Sequence, residues 1–258
     1  MTERELTRAQ DAFRRAANTI YAHSPEKARI GTQGERMLHA IIKHYVAPDP
    51  TCHEQKVGRR IVDAMVDGHI YEVQTRRFDR LIPKLEALLP SHPVTVLYPI
   101  AVKKQVCWLD PETGSVSKGR VSPKKGKAQD ALYEIFYIKE LLLNPNLTIR
   151  LILCDMQEYR TLTGYGKDKK RRAPRAERTP GLLQDDITLA TPSDYAKLLP
   201  EGMTSFTVKE LTKAWHTYPI CTRRGIQVLL SLGVIFEDGK RGREKQYTVR
   251  GTQDGSLS

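Results

Sequence analysis

Apolar residues recur at three- and four-residue steps over residues 3–21, where Leu6, Ala9, Phe13, Ala16, Ala17 and Ile20 share one side of a helix. Thr32-Gln-Gly-Glu35 opens a second helix through Tyr45, striped by Leu38, Ile41, Ile42 and Tyr45 and ended by Pro48 and Pro50. The period then changes to two. Residues 53–66 and 69–75 flank Asp67-Gly68, a dipeptide suited to the type I′ turn, whose two central residues need positive φ. Counting outward from that turn pairs Val66 with His69, Met65 with Ile70, Ala64 with Tyr71 and Asp63 with Glu72. A third helix is predicted over 79–89. Val94-Thr-Val-Leu-Tyr98 is nearly continuous in apolar character, as in a strand buried on both faces, and 102–109 offers another strand. A helix over 128–143 and a second buried strand over 147–155 complete the series.

This order predicts an α/β domain over residues 1–159, a mixed sheet flanked by helices. Residues 160–185 read as a basic linker: positions 160–180 hold eight lysines and arginines against two acids, with Gly164, Gly166, Pro174 and Pro180. Lys169, Lys170, Arg171 and Arg172 are its candidate phosphate contacts. Residues 186–258 form a second, smaller domain. Thr207-Val-Lys-Glu210 is a capping box, and Phe206 and Leu211 stand where a hydrophobic staple would close the same helix end. A helix over 222–232 stops at Gly233 and leaves Arg223, Arg224 and Gln227 outward. Strand, basic turn and strand follow, with Lys240, Arg241, Arg243 and Lys245 in or beside the turn. Helix, helix and basic hairpin together resemble a winged helix-turn-helix. In that family the second helix enters the major groove and the wing touches the DNA backbone, although the module also serves protein contacts such as homodimers.

Charge strengthens the nucleic-acid expectation. Forty-two lysines and arginines face thirty acids, a formal net charge of +12 with a pI near 9.5, which favours a polyanionic partner such as DNA. The four cysteines are scattered, with no Cys-x-x-Cys pair, and fit buried thiols in a reducing cytosol. No signal-peptide pattern and no apolar run near the ~20 residues that span a bilayer occur, so a cytoplasmic protein without membrane contact is expected. Without a Walker-type loop or Gly-x-Gly-x-x-Gly, nucleotide hydrolysis and dinucleotide binding gain no support.

The chemistry concentrates in the hairpin. Asp63 and Glu72, directly opposed, repel each other unless a divalent cation lies between them. Gln74 falls on the same face, and Ile61, Met65 and Ile70, also assigned to it, argue against an open solvated surface. Glu35 … Asp63-x8-Glu72-x-Gln74, on helix and hairpin, resembles the PD-(D/E)XK nuclease superfamily over roughly residues 30–155. The resemblance implies a restriction-endonuclease-like core with Asp63 and Glu72 as Mg2+ (or Mn2+) ligands, Glu35 completing the site, and Asp63, Glu72 and Gln74 as the catalytic set. Val62 stands where the superfamily has proline, and Gln74 where it has lysine. An amide hydrogen-bonds but brings no positive charge; Arg76, Arg77 and Lys103 are the cations the sequence offers instead. The implied activity is metal-dependent DNA endonuclease. The rivals are a DNA-binding regulator with a nuclease-like domain that has lost catalysis, and a scaffold that dimerises through the winged helix.

Overall fold

The computed structural model describes residues 1–22, 34–110, 112–161 and 175–251, with backbone alone for 34–36 and 175–177. The architecture is mixed α/β. Helices α1 (Glu3–Ala22) and α2 (Gly34–Val46) precede a meander of β1 (His53–Val57), β2 (Arg60–Val66) and β3 (His69–Val73). A 3₁₀ turn and α3 (Ile82–Leu88) lead to β4 (Val94–Leu109), and β5 (Arg120–Val121) folds back on it. A short helical segment containing α4 (Leu132–Ile135) leads to β6 (Leu147–Thr161) and β7 (Arg175–Leu189). The sheet order is β1-β2-β3-β4-β6-β7, with β5 pairing β4.

The first compact unit comprises residues 1–74, 96–127 and 151–187. Its core forms where α1 and α2 lay their apolar stripes on one sheet face. Phe13, Ala16 and Ala17 from α1 and Leu38, Ile41, Ile42 and Tyr45 from α2 close over Val73, Leu97, Ile152, Cys154, Met156 and Leu183. Burial of such side chains contributes roughly 1.5–3 kcal/mol each, so this face orients α2 firmly against the hairpin.

Several boundaries differ from the sequence expectation, for local reasons. Gly58, at φ +58, turns the chain inside the segment expected as one strand, 53–66, and makes β1 and β2 antiparallel neighbours. The expected strands over 94–98 and 102–109 are one strand, β4. The segment expected as a helix over 128–143 is mostly 3₁₀, and Ile138 leaves helical geometry at φ −111 and ψ 15. Residues 175–185, expected in a linker, belong to the fifteen-residue strand β7. That strand lies at the end of the sheet order, where Pro180 needs no ladder donor. Tyr45 Oη donates to Asp186 Oδ2 at 2.7 Å and Gln10 Nε2 to the Leu183 carbonyl at 2.9 Å, fixing β7 to both helices.

The second unit comprises residues 75–95, 128–150 and 188–258, so the α3 and α4 segments group with the C-terminal elements rather than with residues 1–74. After α5 (Pro192–Ala196) come β8 (Ser205–Thr207), α6 (Val208–Trp215), α7 (Pro219–Ser231), β9 (Ile235–Arg241) and β10 (Glu244–Val249), the strands ordered β8-β10-β9. The capping box forms as its spacing predicts: Glu210 N–H donates to Thr207 Oγ1 at 3.3 Å and Thr207 N–H to Glu210 Oε2 at 2.8 Å. Phe206 and Leu211 beside it are fully buried. Among the described residues no helix is long and apolar enough to cross a membrane.

At Gly225 helix α7 approaches its neighbours closely. A Cβ there would stand 2.8 Å from Trp215 Cζ3 and 3.2 Å from Leu132 Cδ1. Trp215 has little room to yield, because its indole N–H donates to the Leu198 carbonyl at 3.0 Å. Gly225→Ala is therefore expected to destabilise the protein by about 1–3 kcal/mol, the usual range for an overpacked core, despite its better helix propensity. Urea denaturation of the variant against wild type measures this.

Candidate active site

Asp67 and Gly68 have φ of +49 and +79, as a type I′ turn requires. The ladder then pairs Val66 with His69, Met65 with Ile70 and Ala64 with Tyr71. Beyond Ala64 the strands are joined through side chains. Asp63 N–H donates to Glu72 Oε1 at 3.3 Å, and Val73 N–H donates to Asp63 Oδ2 at 2.8 Å. Each carboxylate thus accepts a backbone donor at or beside the other. Glu72 is 4% exposed, and Asp63 is half-buried. On the other side of β2, His53 pairs with Ala64 and Gln55 with Val62. Glu54, between them, takes a left-handed φ of +49, uncommon for a residue with a Cβ. The sheet is irregular on both flanks of Asp63. Gln74 follows directly, its N–H donating to the Leu97 carbonyl at 2.9 Å and tying the hairpin to β4.

Of the three apolar residues expected beside the acids, Ile70 alone is buried. Ile61 is 61% exposed and Met65 only half-buried, whereas Val62, Ala64 and Ile70 are wholly buried. The inward stripe of β2 is Val62–Ala64. Glu72 is buried in β3, as are Ile70 and Val73.

Helix α2 supplies two side chains that the sequence expectation passed over. His39 Nε2 lies 3.0 Å from Asp63 Oδ2. Lys43, one turn later and largely buried, is ion-paired with Glu54. Glu35 occupies the turn before His39, and its side chain lies outside the described residues. The readable signal was the four-residue step Glu35–His39–Lys43, a polar line along one side of α2. Among the cations expected from sequence, Arg77 is held by Asp79 through Nη2–Oδ2 at 2.8 Å and Nε–Oδ1 at 3.0 Å. Among the described residues no group of three His, Cys, Asp or Glu is placed to hold a metal ion. The donors that are described, Asp63 and Glu72, are two hard carboxylates.

The comparisons with known proteins follow this region of the chain. Residues 36–190, more than half of the sequence and including the hairpin, match the family described as "Domain of unknown function (DUF8091)". The chain belongs to this family. An uncharacterized protein of Treponema pallidum (strain Nichols) is 29% identical over 220 residues, spanning 84% of this chain and 86% of that protein. No solved structure matches the chain. The DUF8091 match covers His39, Lys43, Asp63, Glu72 and Gln74, and stops before α5.

The expected DNA contacts divide into three groups. Arg223 and Gln227 are exposed on α7 and share a groove with Lys209, Thr212, Lys245 and Tyr247. Arg224 is not outward-facing. Its guanidinium stacks 3.9 Å from the Tyr133 ring centroid and 4.7 Å from that of Tyr137, and Nη1 donates to the Tyr133 carbonyl at 3.4 Å. In the β9–β10 hairpin the strands extend to Arg241 and Glu244, so the turn is Gly242-Arg243. Lys240 and Arg243 are exposed there. Arg241 binds Glu210 at 2.7 Å and Ser205 at 3.1 Å, and Lys245 binds Glu237 at 2.8 Å. Lys169, Lys170, Arg171 and Arg172 lie outside the described residues.

Burial alone would lower the His39 pKa, but the hydrogen bond and charge of Asp63 outweigh it and raise the pKa above its ordinary value. The stabilisation from this pair is then full at pH below the unfolded value and lost as pH rises through the folded value. In Asp63→Asn only burial and weaker charge effects remain. The His39 ring-proton titration, followed by NMR, is expected to move from above the ordinary histidine value in wild type to below it in the variant.

Proposed function

We propose that this protein is a cytoplasmic, divalent-metal-dependent DNA endonuclease whose first unit is of PD-(D/E)XK type and whose C-terminal elements bind DNA as a winged helix. One observation carries this reading: Asp63 and Glu72, on adjacent strands of one hairpin, accept each other's neighbouring backbone donors, with Glu72 buried. Two hard oxygen donors suit Mg2+ or Mn2+, which complete their coordination with water and substrate oxygens. A bound divalent ion would supply a water of lowered pKa and offset charge on the reacting phosphate. Gln74, two residues past Glu72, can orient a water or phosphate oxygen through its amide. His39 holds the Asp63 carboxylate in place, and Lys43 brings to α2 a positive charge of the kind that Gln74 cannot give. The order α5-β8-α6-α7-β9-β10 with sheet β8-β10-β9 supports the winged-helix part, and the net charge of +12 supports the polyanionic substrate.

A specific observation favours a second reading. His39 already engages Asp63 Oδ2, and Gln74 replaces the superfamily's lysine. A DNA-binding regulator without catalysis fits both. Incubating the protein with plasmid DNA and Mg2+ or Mn2+ separates the two. Cleavage is expected in wild type, lost on adding EDTA, and reduced by roughly 10²-fold or more in Asp63→Ala and Glu72→Ala. Cleavage that survives both substitutions removes the catalytic assignment, and binding without cleavage selects the regulator.

The C-terminal surface makes a separate prediction. Arg223→Ala is expected to weaken duplex binding with little change in melting temperature. Arg224→Ala is expected to lower stability by about 1–2 kcal/mol through its lost stacking. Fluorescence anisotropy and thermal melts of the two variants read this out.

A further inference from the structure

Between Glu112 and Asp130 the chain holds five cations and no acid. Four of them, Lys118, Arg120, Lys124 and Lys125, are exposed, and among the described residues none has an ion-pair partner. The segment is nonetheless tied down along its length. Ser117 N–H donates to the Trp108 carbonyl at 2.9 Å, Ser122 N–H to that of Lys104 at 2.7 Å and Gly126 N–H to that of Ala101 at 2.8 Å. Between the first two of these bonds, β5 pairs Arg120 with Val106 and Val121 with Gln105. At Gly126 a Cβ would stand 2.6 Å from the Ala101 oxygen, so glycine is what permits that approach. These bonds bring little into the core: Val116 is 41% exposed and Val121 66%. A self-repelling stretch that keeps its valines in solvent adds little to folding stability, which points to a use for the fixed cations.

The place of the segment on the sheet relates it to the paired acids. The Leu97 carbonyl takes the Gln74 N–H, and the Ala101 carbonyl takes the Gly126 N–H. Alternation along a strand turns Leu97, Pro99 and Ala101 to one edge of β4. Pro99, which needs no ladder acceptor, lies in the gap between the two partners. The basic segment therefore follows the hairpin along a single edge of β4. It starts about 13 Å of strand beyond the Gln74 bond and runs on toward Trp108. Four unpaired cations fixed in a row fit a phosphate backbone, which lysine and arginine grip without reading sequence. We infer that residues 117–125 are a track for the nucleic-acid backbone flanking the Asp63–Glu72 site, with Lys118, Arg120, Lys124 and Lys125 as its phosphate contacts. This rests on the DNA-binding part of the proposed function. It does not depend on catalysis, and it uses neither the α7 surface nor the side chains of the β2–β3 hairpin.

The test is the salt dependence of binding to a fluorescent duplex oligonucleotide in EDTA, with Arg223→Ala as comparator. A neutral variant combines Lys118→Gln, Arg120→Gln, Lys124→Gln and Lys125→Gln. An exchanged variant keeps the charge through Lys118→Arg, Arg120→Lys, Lys124→Arg and Lys125→Arg. Each lost phosphate contact reduces the slope of log K against log[salt] by about 0.9, so the neutral variant is expected to lose roughly 3 to 4 from the slope and to bind at least roughly tenfold more weakly. Its melting temperature should not change, and the exchanged variant should keep the wild-type slope. A wild-type slope in the neutral variant overturns the inference; if Arg223→Ala lowers the slope in the same series, the DNA reading stands without it. An equal loss of slope in the exchanged variant also overturns it, because charge is then not what binds. If wild type binds no duplex at low salt, the DNA reading falls and this inference with it. Vesicles of phosphatidylserine and phosphatidylcholine are run in parallel: a neutral variant that loses vesicle binding at an unchanged duplex slope assigns the segment to an anionic lipid surface instead.

Discussion

The β2–β3 hairpin places carboxylates where a regular ladder would continue through amides and carbonyls, and this exchange organises the surrounding structure. The Asp63 and Glu72 side chains take over the inter-strand bonding from Ala64–Tyr71 onward. They can do so because the type I′ turn fixes the register and α2 is pressed against the same region by a continuous apolar core. Helix α2 then offers His39 to Asp63 and Lys43 to Glu54. The left-handed Glu54 opposite Asp63 is the backbone cost of that fit, and local strain of this kind is held only where the surrounding packing enforces it. Chemistry proposed for the site follows from this: two oxygen donors fixed by the sheet rather than by flexible loops.

The hairpin was legible because its determinants are local. Asp-Gly demands positive φ, and counting from the turn gives the facing residues without reference to the rest of the chain. The α1 and α2 stripes were legible for the same reason, since three- and four-residue periodicity needs no distant partner. What failed to show was set at long range. Period two placed Ile61 and Met65 beside the acids, but which residues of β2 are covered is decided by elements distant in sequence, and the buried ones are Val62 and Ala64. The charged, proline-containing stretch before Leu189 resembled a linker because charge is exposed in both linkers and edge strands. Only its pairing with β6 and its bonds to α1 and α2 make it β7. Arg224 looked outward by helical phase alone, while the aromatic rings that cover it come from residues 133–137, about ninety positions earlier in the sequence.

The two units carry different parts of the proposed function. The first holds the paired acids, on strands of the large sheet, and most of the DUF8091 match falls within it. The second combines the C-terminal helices and hairpin with the α3 and α4 segments, and its cations fall into two classes. Arg223, Lys240 and Arg243 stand exposed, whereas Arg224 and Arg241 are engaged in stacking or ion pairs within the unit. Net positive charge alone could not make that distinction.

Calorimetric titration of Mn2+ and Mg2+ into wild type, Asp63→Asn and Glu72→Gln tests the central claim most directly, because it asks about the acids without requiring a substrate. Saturable binding to wild type, accompanied by a rise in melting temperature and abolished in both variants, is the predicted result. Equal ion binding by all three proteins, or none by wild type, would contradict the account.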